Sequence, residues 1–289
     1  MARLLILFIL AFSFGFSADP VKLMFLTFTL KEKDFSRAVE SVSNSMQREG
    51  LGVKRTLKLS DALRNRGVDF PDYYIVFGCF SEKNTKLLEK VPALTNLLPC
   101  SVAIYKDKDG RIKASIANYR PYLAKYYKNL SNEDRNIVVS SYNKLIKALS
   151  GLSVKPQSAP YVPPPKEDLV SEALVEGLGY DEFLTLYKSS LEGKNMNVLD
   201  VISLAPNYNV LLACNLSYGE KILRNFPQFG TLAPCRIYVK QEDKGIRIGY
   251  INIPLLVKLY GKQIGEEGTK IFQKAQEDLQ GALEEATGR

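Results

Sequence analysis

Four cysteines fall into two pairs of identical spacing, Cys79 with Cys100 and Cys214 with Cys235. Two sulfurs per pair allow three chemistries. They can close a structural disulfide, which an oxidising, exported compartment would sustain. They can stay apart as small apolar fillers of a core. Or they can work: by dithiol–disulfide exchange, by handling persulfide or thiosulfonate sulfur, or by holding a soft ion such as Cu(I) between two thiolates. The Cys-x-x-Cys spacing of thioredoxin-like centres is absent, which counts against exchange. A helix is expected to start just after Cys79 and just after Cys214, and its positive end would lower a thiol pKa. On that argument Cys79, Cys100, Cys214 and Cys235 are the candidate catalytic residues of a redox protein.

Whether the sulfurs meet depends on the elements that carry them. Tyr73 to Cys79 (YYIVFGC) reads as a short central strand, and Ser81 can cap a helix that Pro92 ends. A plain parallel crossover would leave the two cysteines at opposite sheet edges, beyond the Cα separation of about 7 Å that a disulfide tolerates. The Pro92–Pro99 segment can span roughly 26 Å when extended, enough to return the chain beside the strand end it left. Both arrangements stay open.

The whole stretch recurs. Cys79, Pro92, Leu97, Pro99, Cys100 and Gly110 reappear as Cys214, Pro227, Leu232, Pro234, Cys235 and Gly245, each displaced by 135 residues. Upstream the offset is 145, with Val53 matching Val198, so the second copy lacks ten residues before its central strand. Such a repeat sets the architecture before any chemistry.

In order, residues 22–30 predict a strand. Asp34 caps a helix that places Phe35, Ala38, Val39, Val42 and Met46 on one face, and Gly50 stops it. Residues 53–59 predict a second strand. Residues 101–106 and 111–118 make a hairpin around Lys108-Asp109-Gly110. Pro121 opens a short helix, and Ser131 with Asp134 forms a capping box for a last helix closed by Gly151. The segment 153–166 (SVKPQSAPYVPPPK) has five prolines and reads as an extended linker. The predicted class is α+β: two tandem copies of a β-α-β-β-α-β-β unit with C-terminal helices, each a mostly antiparallel sheet covered by helices. The expected domains are 19–152 and 167–289, after a signal peptide over 1–18.

That leader is read from Arg3, the apolar run Leu4–Phe16 and the small Gly15 and Ser17. Cleavage near Ser17-Ala18 would give an exported, periplasmic protein, with an uncleaved N-terminal tether as the alternative. The chain has no His, which excludes His-based acid–base catalysis, His-ligated zinc and c-type haem attachment. We find no Gly-rich phosphate loop, acid pair or Ser nucleophile signature, and expect no cofactor and no metal site beyond the two-thiolate alternative at the cysteine pairs. The net charge is +8, with ten basic against four acidic residues between Lys106 and Lys147. We read this as a solvated helical face rather than a nucleic-acid site; peripheral contact with an anionic membrane is the alternative. Tyrosines between Tyr119 and Tyr127 are read as packing.

The motifs resemble a known family. Phe77-Gly-Cys-Phe80 with Leu97-Leu-Pro-Cys100, and Leu212-Ala-Cys-Asn215 with Leu232-Ala-Pro-Cys235, resemble the domain of unknown function 302 (DUF302). The resemblance implies the fold above and no assigned activity. It marks Pro99, Pro234 and Asn215 as structural or ligand-site candidates. The first copy departs from the pattern, with Phe80-Ser81 where Asn-Pro follows the Cys in relatives. The expected function is therefore a non-catalytic accessory protein binding a small ligand or an envelope partner, with a cleft between the copies. The alternative is a thiol-based redox, sulfur-handling or soft-metal protein. Neither ligand nor oligomeric state is legible here.

Overall fold

The computed structural model describes residues 24–161, 163–232 and 235–288. The leader and Pro234 lie outside the described residues. In the first copy, strand β1 (Phe25–Thr29) is followed by helix α1 (Phe35–Arg48), β2 (Arg55–Lys58), α2 (Leu59–Arg64), β3 (Tyr73–Gly78) and α3 (Glu82–Lys90). A 3-10 turn at Pro92–Asn96 leads into the hairpin β4 (Cys100–Lys106) and β5 (Ile112–Ala117), then α4 (Arg120–Lys125) and α5 (Asn132–Leu152). The second copy runs β6 (Val170–Val175), α6 (Tyr180–Gly193), β7 (Asn197–Ala205), β8 (Tyr208–Cys214), α7 (Leu216–Asn225), a 3-10 turn at Pro227–Thr231, β9 (Cys235–Glu242), β10 (Gly245–Ile251) and α8 (Ile253–Ala286).

Each copy forms one five-stranded sheet, in orders β1-β5-β4-β3-β2 and β6-β10-β9-β8-β7, and every pairing is antiparallel. The fold is α+β, as the periodicity predicts. Local chemistry explains the boundaries. Asp34 accepts from the Arg37 N–H, Ser81 from that of Asn84, and Ser131 with Asp134 makes the reciprocal capping box. Gly50 takes φ 73 at the end of α1, a left-handed value that costs glycine little. One stop differs from expectation: Gly151 lies inside the last turn of α5. After α6 the left-handed position falls on Asn195 (φ 59). The ten missing residues of the second copy correspond to α2 and its loop: β7 turns directly into β8 through Pro206-Asn207.

Strand alternation gives each sheet two faces. In the first sheet Val76, Gly78, Cys100, Val102 and Ile104 share the face under α1 and α5, where a Cβ on Gly78 would strike Met46. Tyr73, Ile75, Phe77, Ser101 and Tyr105 share the opposite face. Short helix α2 of the same copy touches only the β3 edge of that second face, and the rest of the face meets the other copy. The Pro227–Thr231 turn lies on β4 and β5, and the Pro92–Asn96 turn lies on β9 and β10. This reciprocity is an approximate two-fold relation within one chain. Tyr73 Oη donates to Pro227 O at 2.5 Å, and its counterpart Tyr208 donates to Leu88 O at 3.1 Å. Ser101 donates to Thr231 O at 2.6 Å; its counterpart Arg236 donates to Thr95 O (3.0 Å) and Pro99 O (2.6 Å). The linker lies along the first copy, with Asn118 donating to Pro160 O and Lys125 to Lys166 O. Among the described residues no helix is long and apolar enough to cross a membrane.

Candidate functional site

The two cysteine pairs start from the same register and end differently. Gly78 pairs with Cys100, and Ala213 pairs with Cys235, so Cys79 and Cys214 each lie one residue past a cross-strand partner. Straight alternation would point that residue to the face opposite Cys100 or Cys235. Cys79 escapes by leaving the strand at φ 65, which swings its sulfur back to bond Cys100, with the Cα atoms 5.4 Å apart. The buried Asn84 holds this turn by donating Nδ2–H to Cys79 O at 2.5 Å. The Pro92–Pro99 segment does bring the chain back beside β3.

In the second copy Cys214 stays extended and pairs with Asn197 at the end of β7. Cys214 and Cys235 are free, half-buried thiols. The position of Asn84 is taken by Gly219, so no side-chain amide stands there to hold the Cys214 carbonyl, and there is room for its sulfur. A Cβ on Gly219 would lie 3.6 Å from Cys214 Sγ. Burial pushes the Cys214 thiol up to about 12, with the neighbouring Cys235 adding to it, and the Cys235 thiol up to about 11. This corrects the expectation of a lowered thiol pKa. Loss of hydration outweighs the dipole of α7, whose first N–H groups are already satisfied by Asn215 Oδ1.

Two related grooves open where the copies meet. Arg55 of β2 forms an ion pair with Asp200 of β7, and these residues occupy equivalent positions, so the pair sits close to the two-fold relation itself. Arg55 also donates to Leu199 O at 3.3 Å. On one side lies a groove of about 220 Å³ whose apolar lining includes Leu57, Leu59, Ala62, Leu199, Leu216 and Leu223, with Cys214 forming part of its wall. It adjoins a smaller apolar cavity of about 50 Å³ that both Cys214 and Cys235 line, together with Tyr218, Phe229 and Phe272. On the other side the counterpart groove, about 610 Å³, is lined by Lys54, Ser81, Glu82, Thr85, Asp200 and Ser203. Position by position, Leu199 answers Lys54, and Leu216 answers Ser81. Of these two equivalent surfaces one is an apolar groove, while the other sets charged and hydroxyl side chains among Phe77, Phe80, Ile202 and Leu204.

The family model for the domain of unknown function DUF302 matches residues 26–152 and again 174–286. The chain belongs to the DUF302 family. An uncharacterized protein of Aquifex aeolicus (strain VF5) is 46% identical over 126 residues, covering 43% of this chain and 88% of that protein. Among solved structures, the crystal structure of an uncharacterized conserved DUF302 protein from Bacillus stearothermophilus is 19% identical and has a TM-score of 0.38. It covers 44% of this chain and 97% of that one.

The candidate residues therefore divide between the two DUF302 copies. Cys79 and Cys100 are joined and buried, whereas Cys214 and Cys235 are apart and reach a cavity. Pro99 follows a cis peptide bond, and its carbonyl receives Arg236. Asn215 caps α7 and lines the smaller cavity. Of the Tyr119–Tyr127 group, Tyr119 and Tyr122 are buried packing, while Tyr127 is exposed under the Arg135 guanidinium. Basic residues of the Lys106–Lys147 stretch pair with Asp72, Asp107, Asp168 and Glu49. Sequence reasoning passed over Arg55, Asp200, Gly219 and Arg236. The available signal was the set of positions where one copy departs sharply from the other: Arg against Asp, Asn against Gly, Ser against Arg.

Proposed function

We propose that this DUF302 protein is a non-catalytic binding protein, and that its ligand is a small, largely apolar molecule held between the two copies beside Cys214. The observation that carries this reading is the divergence of the twin grooves. Apolar side chains from both copies line one of them, and burying a ligand's apolar surface there is worth roughly 25 cal/mol per Å². Arg55 and Lys58 also line it and suit a ligand with one polar or anionic end. The raised Cys214 and Cys235 pKa values keep both thiols protonated near neutral pH, which favours a contact surface over a nucleophile. Export is part of the proposal. It is supported by the Arg3–Phe16 pattern and by a buried disulfide, which oxidising compartments sustain.

The test is titration with the neutral probe N-phenyl-1-naphthylamine, followed by its fluorescence; the chain has no Trp to interfere. We expect one saturable site, lost in Ala62→Phe, which fills the apolar groove, and kept in Thr85→Phe, which fills the polar one. Absence of binding, or equal binding by both variants, would sink the proposal.

A further inference from the structure

We propose that Cys214 and Cys235 are a latent disulfide, kept open by the glycine at position 219, and that closing it withdraws the Cys214 sulfur from the apolar groove. The first copy shows the closed form of the same register. There Cys79 turns left-handed (φ 65), leaves β3 and meets Cys100, while Asn84 pins its carbonyl. The second copy shows the open form. Cys214 remains the last paired residue of β8, both thiols line one small cavity, and Gly219 leaves the space that Asn84 fills in the first copy. Conversion requires Cys214 to give up the terminal Asn197 pairing and to adopt the turn already seen at Cys79. The groove effect rests on the binding reading above; the disulfide itself does not.

The step balances with a low-molecular-weight disulfide as oxidant. Cys214 is the entry point, because it alone of the pair also lines the interdomain groove. Its thiolate attacks one sulfur of the oxidant, forming a mixed disulfide and releasing one thiol. The Cys235 thiolate then attacks the Cys214 sulfur, forming the internal bond and releasing the second thiol. The two protons lost by the cysteines go to the two departing thiolates. Because both thiols are held protonated by burial, the rate rises about tenfold per pH unit until the pH approaches their pKa values.

The experiment incubates the full chain with oxidised glutathione across pH 7.5–10, traps free thiols with iodoacetamide and maps the peptides by mass spectrometry. The expected result is loss of both alkylatable thiols, a peptide pair linked through Cys214 and Cys235, and faster closure in Gly219→Asn. A stable glutathione adduct on Cys214 with Cys235 still free, or intermolecular dimers, in both proteins would overturn the proposal. If Gly219→Asn does not fold, the wild-type map alone decides. In parallel, N-phenyl-1-naphthylamine affinity should fall on oxidation by about threefold, the scale of one lost apolar contact, and stay constant in Cys235→Ser. A closed disulfide with unchanged affinity would overturn the withdrawal of the sulfur. A probe that binds neither form counts against the groove reading instead.

Discussion

Reducing the Cys79–Cys100 bond isolates what one closed pair contributes. The perturbation is clean in a Cys214→Ser/Cys235→Ser background, compared with and without reductant. The bond closes a loop of sequence separation 21. Chain entropy for a loop of that length corresponds to about 3 kcal/mol at 25 °C. Against this stands the left-handed backbone at Cys79 (φ 65), which an unbonded Cys need not hold and which costs roughly 1 kcal/mol for a residue with a Cβ. The net loss is about 2 kcal/mol. With roughly 2–4 °C of Tm per kcal/mol in chains of this size, thermal unfolding followed by circular dichroism should move down by about 4–8 °C. A shift under about 1 °C would refute the reasoning, because the disulfide would then be offset by strain elsewhere in the first copy.

The interface supplies two further tests. Tyr73→Phe and Tyr208→Phe each remove an interdomain hydrogen bond to a carbonyl, and each should cost about 1 kcal/mol in urea unfolding. No loss in either would mean that the tyrosines contribute through packing alone. Arg55→Asp and Asp200→Arg each create a like-charge pair at partly exposed positions. Each should cost on the order of 0.5–1 kcal/mol at low salt, and the double swap should recover most of it. A double variant no better than the sum of the singles would contradict direct pairing. Alkaline pH supplies another. Burial raises Cys235 from 9 to about 11 and Tyr105 from 10 to about 12. The unfolded chain therefore releases these protons first. The contribution of these two groups should be level from neutral pH to pH 9 and fall as pH rises through that window. Urea midpoints that rise between pH 9 and 11 would reverse the sign.

Much of the fold was legible because local chemistry and the repeat agreed. Asp34, Ser81, Ser131 with Asp134, Gly50 and the Asp109-Gly110 turn all act locally, and each acts where its residue type predicts. The site was legible only in part. Both cysteine pairs have the same spacing, yet one is closed and one open, and the difference lies at positions 84 and 219, five residues after each first cysteine. A buried Asn that can hold a carbonyl and a Gly that cannot are both ordinary helix residues in a one-dimensional reading. The grooves were less legible still, because they need the back faces of two sheets to meet. Arg236 makes the same point. Its guanidinium is buried against Phe77 and the Thr95 and Pro99 carbonyls, a placement that only the packed interface explains. Burial, which spacing does not reveal, raises the Cys214 and Cys235 thiols despite the helix that follows Cys214.

The most direct test of the central claim is xenon binding in crystals of the protein. Xenon occupies dry apolar cavities and gives an anomalous signal that locates it. Xenon should bind between Leu57, Ala62, Leu199 and Leu223, beside Cys214, and not in the groove lined by Lys54, Glu82 and Asp200. Xenon in the polar groove, or in neither, would contradict an apolar ligand site between the two copies.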